Sequence, residues 1–166
     1  MLTRLARVAL AAGVALYLAL VVFNNLTDYG SNHAFVEHVL AMDTTFPGNA
    51  GMWRAIHAPW MVHAFYVSVI LWEAVACVLL AAGAWRMWGA RRAPAPAFAR
   101  AKRLAIAGLA LNLLQWLVAF IAVGGEWFLM WQSRTWNGSD VAGRMFLVVG
   151  ITLLFVNAPD EDLQGA

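Results

Sequence analysis

One carboxylate in the sequence lies where a charge is costly, near the middle of a long apolar stretch. Glu73 falls inside the second of four predicted spans, and an ionisable group within a membrane costs several kcal/mol unless it is paired. On a helix, His63, Tyr66 and Glu73 share one face because they recur at helical spacing. Such a stripe suits a ligand, proton or quinone site, and it equally suits a polar contact that only fixes helix register.

A second polar stripe lies in the third predicted span. Asn112 and Gln115 are one helical turn apart, and a rise of about 1.5 Å per residue puts them near the depth of Glu73. We therefore predict a hydrogen bond between Glu73 and Asn112 or Gln115. The resulting intramembrane cluster comprises His63, Tyr66, Glu73, Asn112 and Gln115.

The number of histidines limits what cofactor this cluster could hold. A membrane haem needs two axial ligands, normally histidines on facing helices. Only His63 falls inside a predicted span, and His57 precedes that same span. We expect no cofactor and keep a redox role, with haem or quinone bound near Glu73 and His63, as the alternative function.

Polar side chains are concentrated in residues 24–58, the connection between the first two spans. His33 and Glu37 are four residues apart with His38 adjacent, but this spacing matches no metalloprotease motif, and we predict no metal site. We interpret the segment as a surface that contacts a membrane or periplasmic partner, which makes the chain an accessory subunit. The candidate binding residues are Asn24, Asn25, Asp28, Tyr29, Asn32, His33, Glu37, His38, Asp43 and Arg54.

Two further charges are predicted at one membrane boundary. Glu126 closes the third span and Arg144 opens the fourth. We predict an ion pair between them, with Arg144 reaching to lipid headgroups as the alternative.

Motifs of several enzyme classes are missing from the sequence. It contains no Gly-x-Ser-x-Gly element and no phosphate-binding glycine loop, so we lean against an enzyme. No basic face with interleaved aromatics indicates nucleic-acid binding. Cys77 is the single cysteine, which excludes a disulfide or a cysteine-based zinc site within one chain.

The composition places the chain in a membrane. It is 63% hydrophobic and 12% charged, whereas soluble domains carry about 25% charged residues. We predict a single all-α domain over residues 1–166, a four-transmembrane-helix antiparallel bundle in the lipid bilayer. The predicted spans are residues 5–23, 59–83, 104–125 and 141–157.

The first connection is long enough to hold structure of its own. Asn32 is suited to cap a helix that begins at His33, and Phe35, Val39 and Met42 then recur at helical spacing. We predict a short amphipathic helix that lies on the outer membrane surface or caps the bundle, ended by the turn at residues 47–49.

Basic residues give the orientation. Arg4 and Arg7 precede the first span, and six further Lys and Arg residues lie between residues 84 and 103. Cytoplasmic loops are enriched in Lys and Arg, so both termini and this loop are predicted in the cytoplasm, with the loop arginines attracted to anionic lipid. Glycine and alanine in the spans permit close helix contact, and an oligomeric channel or a lipid- or solute-handling protein is the third functional hypothesis.

Several segments resemble a known family. The runs Asn24–Tyr29 and Phe35–Asp43, together with Trp53–Ile56 and the pair Trp72-Glu73, are similar to the bacterial family called predicted small integral membrane proteins, a domain of unknown function. The resemblance covers nearly the whole chain. It implies a four-helix protein of the bacterial inner membrane with no assigned activity, and it supplies no catalytic residues.

Overall fold

The chain is all-helical, as predicted, and four helical stretches are long and apolar enough to cross a membrane. The computed structural model describes residues 1–162, and within that range there is no β-strand. Short 3-10 turns occupy Met52–Arg54 and Met130–Gln132. The α-helices are α1 (Leu2–Thr27), α2 (Tyr29–Ala41), α3 (Pro59–Gly89), α4 (Ala95–Ala101), α5 (Arg103–Leu114) and α6 (Ser139–Asn157).

The third span changes its helical type halfway along. Beyond α5 the chain continues as a π-helix over Gln115–Trp127, and Phe128 N–H donates to the Val123 carbonyl five residues earlier, at 3.0 Å. Wider helical turns of this kind are rare and are found frequently at functional sites. Hydropathy predicts one uninterrupted helix here, because it reports the composition of the segment and not the spacing of its backbone hydrogen bonds.

The long helices form an antiparallel bundle in which α1 packs on α3, α3 on α5, and α5 with the π-helix on α6. The backbones of α3 and α5 approach closely. A Cβ atom built on Gly83 would lie 2.3 Å from Ala105 N, and one on Gly108 would lie 3.0 Å from the Ala76 carbonyl. Small residues let helix backbones approach closely in a membrane, and here they fix the register of α3 against α5.

Helix α2 begins at Tyr29, four residues before the predicted start, because Asp28 turns the chain immediately after α1. It ends at Ala41, where Met42 adopts a left-handed conformation with φ 54°, before the turn that was predicted to end it. α2 packs against α3 and α1. Its Val39 and Leu40 are buried in an apolar cluster with residues of α3 and the π-helix end.

We name the two ends of the bundle by what lies there. The α2 end holds α2 and both 3-10 turns. The basic end holds the start of α1, helix α4 and residues 158–162. The core consists of two apolar clusters, a large one along the bundle and a smaller one beneath α2.

Candidate binding site at the α2 end

Glu73 lies at the junction of α1, α3 and the π-helix, where its residue is only 4% exposed. Asn25 Nδ2 donates to one carboxyl oxygen at 2.8 Å, and Gln115 Nε2 donates to the other at 3.2 Å. Of the two amides predicted as partners, Gln115 is therefore bonded, and Asn112 has no hydrogen-bond partner in the described range. Both donors are neutral, so they bind the carboxyl group without supplying a counter-charge.

Asn25 connects Glu73 to the rest of the network. Its Oδ1 accepts from Asn32 Nδ2 at 2.7 Å and from the Tyr66 hydroxyl at 3.2 Å. Hydropathy places Asn25 in the exposed connection, whereas the residue is buried in α1. A signal was present, because Ala11, Ala15 and Leu18 share with Asn25 the spacing of one buried helix face.

An aromatic group covers the network on the outside. The Tyr29 hydroxyl is hydrogen-bonded to His63 Nδ1 at 2.9 Å, and the ring centroids of His33 and His63 are 4.3 Å apart. The centroids of Tyr29 and Tyr66 are 4.7 Å apart. Two imidazoles packed against each other in this way cannot ligate a haem iron from opposite faces, so the arrangement does not fit a haem held by these histidines within one chain.

The remaining candidate residues of the first connection make local contacts. His38 Nδ1 is 2.6 Å from Asp43 Oδ2, and the His38 ring stacks on Trp136. His33 Nδ1 is 3.7 Å from Glu37 Oε2. Other members of the set are Asn24, which is exposed, Asp28, which accepts from the Ser31 hydroxyl, and Arg54, whose guanidinium lies over Trp127.

The predicted outer set is thus divided between the network and the surface. Among residues 1–162 no group of three or more His, Cys, Asp and Glu side chains is arranged to hold a metal ion.

A cavity of about 330 Å³ adjoins the network. Its walls are mostly apolar, and its polar lining includes Asn25, Asn32, Tyr66 and Glu73. Contributions come from α1, α2, α3, the π-helix and the start of α6. The apolar lining includes Val21, Phe35, Val36, Val39, Phe65, Val69, Trp116, Ala119, Phe120, Phe128 and Val141.

The cavity lies where α1 and α6 face each other at the α2 end, since Val21 of α1 and Val141 of α6 both line it. At the basic end the same two helices are joined, because Arg7 Nε donates to the Phe155 carbonyl at 3.1 Å. Helices α1 and α6 are therefore hydrogen-bonded to each other at the basic end, and both line a cavity at the α2 end.

A group of buried polar atoms without partners begins at the α-to-π transition. Both amide atoms of Asn112, Oε1 of Gln115 and Nε1 of Trp116 lack hydrogen-bond partners within the described residues. Asn112 and Gln115 are 0% and 1% exposed. Buried polar groups are nearly always satisfied in folded proteins, so this concentration within five consecutive residues calls for a physical explanation.

The predicted pair Glu126 and Arg144 is not brought together. Both residues are exposed, and no ion pair joins them in the part of the chain described. Arg144 Nε instead donates to the Asp140 carbonyl one turn earlier, at 3.3 Å.

None of the sequence patterns predicts the charged cluster at the basic end. Asp160 forms ion pairs with Arg7 and, at 2.5 Å, with Lys102, and all three side chains are at least 95% buried. Arg4 donates to the carbonyls of Ala93 and Glu161. Lys102 enters the sequence analysis only as one of the basic residues that orient the chain, and in the structure the segment that follows α6 encloses it.

One family matches residues 3–159, nearly the whole chain, and its description is predicted small integral membrane protein, DUF2165. No curated protein matches the chain, and no solved structure does.

Proposed function

The chain belongs to this family of predicted small integral membrane proteins, and from that premise we propose that it binds an amphiphilic small molecule in the cavity at the α2 end. The observation that carries the proposal is the lining of that cavity. Apolar side chains from five elements surround it, and a carboxyl group, two amides and a phenol meet at one wall. Ligand sites in proteins are typically concave, mostly apolar, and fitted with a few convergent polar groups.

The polar wall determines which ligand would be selected. A molecule that moves from lipid into an apolar cavity gains little hydrophobic free energy, because lipid is equally apolar. Its affinity depends on hydrogen bonds, which are stronger in a low-dielectric interior. Glu73 accepts hydrogen bonds and the amide groups of Asn25 and Asn32 donate them, so a hydroxyl group on a largely apolar molecule is complementary to the site.

Entry from the bilayer is the natural route for such a ligand. The cavity is lined by Val21 of α1 and Val141 of α6, and the hydrogen bond from Arg7 to the Phe155 carbonyl joins these two helices towards the basic end. We infer that the ligand enters between α1 and α6 without passing through water.

Photolabelling with a long-chain alcohol that carries a diazirine tests the proposal. Labelled peptides from the purified protein should come from the cavity walls, and Ala119→Phe should abolish that labelling by filling the space. Val118→Phe is the matched control, since Val118 is the neighbouring residue and is 41% exposed. Labelling spread evenly over lipid-facing residues, or unaffected by Ala119→Phe, would overturn the proposal.

Quinones are amphiphilic small molecules of the kind proposed here. Of the two cofactors in the redox alternative, haem and quinone, the cavity favours the quinone. The amide of Asn25 would donate to a quinone oxygen, and Glu73 would accept from a hydroxyl of the reduced quinol. His63 belongs to the aromatic group outside and does not line the cavity with the other polar residues. Competition of the alcohol label by a short-chain quinone, in wild-type protein, is the corresponding measurement.

That the chain is an accessory subunit which binds a partner protein stays a prediction. The surface available for this contact is smaller than the full set of predicted outer residues. Asn25, Tyr29 and Asn32 are engaged within the network, so a partner protein would contact the exposed members of the predicted set. Those outside the network are Asn24, Asp28, Glu37 and Asp43. Co-purification that is lost when these four side chains are replaced together by alanine would support it.

The orientation is also a proposal. Arg86, Arg91, Arg92, Arg100 and Arg103 all lie between α3 and α5 or at their ends, and the positive-inside rule then puts the basic end in the cytoplasm of a bacterial inner membrane. Terminal tags that resist protease added outside sealed spheroplasts are the expected result.

A further inference from the structure

The carboxyl group of Glu73 is buried in the bundle without a counter-charge. Its hydrogen-bond donors, Asn25 and Gln115, are neutral amides, and within residues 1–162 no ion pair includes Glu73. A buried charge is strongly unfavourable unless it is paired or bound to a metal ion. The amide groups lower the cost of the charge, but they do not cancel it.

Unpaired oxygens lie beside this carboxyl group. Gln115 uses Nε2 to bind Glu73, which leaves its Oε1 buried and without a partner. Asn112 is one turn away on the same face and also has an unpartnered Oδ1. The register of α3 against α5 places Asn112 near the level of Ala76, one turn from Glu73, because Gly108 packs against Leu80 and Gln115 binds Glu73.

We propose that Glu73, Asn112 and Gln115 form a site for one alkali metal cation in the centre of the bundle. Carboxylate and amide oxygens are suitable ligands for hard cations. One carboxylate balances one positive charge, so a monovalent ion leaves the site neutral and a divalent ion does not. In this proposal the amide oxygens of Asn112 and Gln115 turn towards a cation beside Glu73.

The site is distinct from the cavity of the proposed function. Glu73 belongs to both, whereas Asn112 and Gln115 do not line the cavity. The position also agrees with the helix geometry, because both amides flank the point where α5 becomes a π-helix. Irregular helical backbone at membrane depth is a recurring feature of sodium sites in transporters.

The thermal unfolding midpoint of the full chain in detergent tests this proposal. Sodium chloride and potassium chloride are each compared with choline chloride at equal ionic strength. An ion that binds only the folded protein raises the midpoint by mass action, by roughly 5 °C near saturation. Equal midpoints in all three salts overturn the proposal.

Two variants identify the site. Asn112→Leu removes unpaired polar atoms, so it should be as stable as wild type or more stable in choline chloride, and it should lose the alkali-ion shift. Asn24→Leu makes the same chemical change at an exposed position and should keep the full shift. An undiminished shift in Asn112→Leu overturns the assignment to this site.

A third comparison separates this inference from the proposed function. Ala119→Phe should lose cavity photolabelling and keep the alkali-ion shift, and Asn112→Leu should show the reverse. Loss of the alkali-ion shift in Ala119→Phe would mean that ion binding depends on the cavity, which contradicts a separate site.

Discussion

The two ends of the bundle bury polar groups in opposite ways. At the basic end the buried groups are charged, and Asp160 lies between the cations of Arg7 and Lys102. At the α2 end the buried groups are amides and a phenol arranged around Glu73, which has no cation beside it in the described chain. One end satisfies its charges internally, and the other contains a carboxyl group without a counter-charge and several amide atoms without partners in the described residues.

This difference indicates what each end does. At the basic end, buried ion pairs join residues that are far apart in the sequence, since Arg7 and Asp160 are separated by 153 positions. These contacts hold α1, α4 and the segment after α6 together. The α2 end encloses a cavity, and elements that bind ligands are drawn from the less stable parts of a protein.

The largest effect is expected at the basic end, from Asp160→Asn. The substitution leaves Arg7 and Lys102 buried without a negative charge, and removal of one partner of a buried ion pair typically costs about 3–5 kcal/mol. The free energy of unfolding, measured by titration with sodium dodecyl sulfate in mixed micelles, should fall by that amount.

Glu161→Gln is the matched control for Asp160→Asn. It removes an adjacent acidic charge, but Arg4 uses only the main-chain carbonyl of Glu161 and the side chain is exposed. Its unfolding free energy should stay close to that of wild type. Equal losses in the two variants would mean that net charge of the tail, and not the buried cluster, holds the end together.

The next largest effect is expected at the α2 end, from Asn25→Ala. This change removes a donor to Glu73 and the acceptor for Asn32 and Tyr66. Leaving buried polar groups unpaired costs about 1–3 kcal/mol each, and partial rearrangement should limit the total to about 2–3 kcal/mol. The same detergent titration measures it.

Asn24→Ala is the neighbouring control, because Asn24 is exposed and should contribute little. If Asn24→Ala costs as much as Asn25→Ala, the loss comes from the end of α1 and not from the network.

Much of the fold was readable from sequence because lipid imposes a simple rule on composition. A spanning helix must be apolar over its length, and the four stretches predicted on that basis match four candidate spans in the structure. The depth of Glu73 followed from its position within such a stretch. Depth alone, however, did not reveal which helices would surround it.

The parts that were missed depend on tertiary geometry. Asn25 follows the apolar run, so hydropathy placed it outside, whereas α1 continues through Thr27 and turns Asn25 inward. The pairing of Lys102 with Asp160 joins segments that have no local relationship in sequence. The cavity depends on how α1 and α6 lie relative to each other at one end, which no periodicity in either helix encodes.

The smallest effect is expected from Ala119→Leu. This variant is informative because it can be compared with the same substitution at a tightly packed position, Ala105→Leu. Ala119 lines the cavity, so three extra carbons have space and the free energy of unfolding should change by less than about 1 kcal/mol. Ala105 is 0% exposed and lies against Gly83, where added volume must push α3 and α5 apart at a cost of about 1–3 kcal/mol or more. The two substitutions are chemically identical, so helix propensity and side-chain entropy cancel between them, and only the surroundings differ. Equal destabilisation would mean that the α2 end is packed as tightly as the basic end, and the contrast between a closed and a receptive end of the bundle would then be wrong.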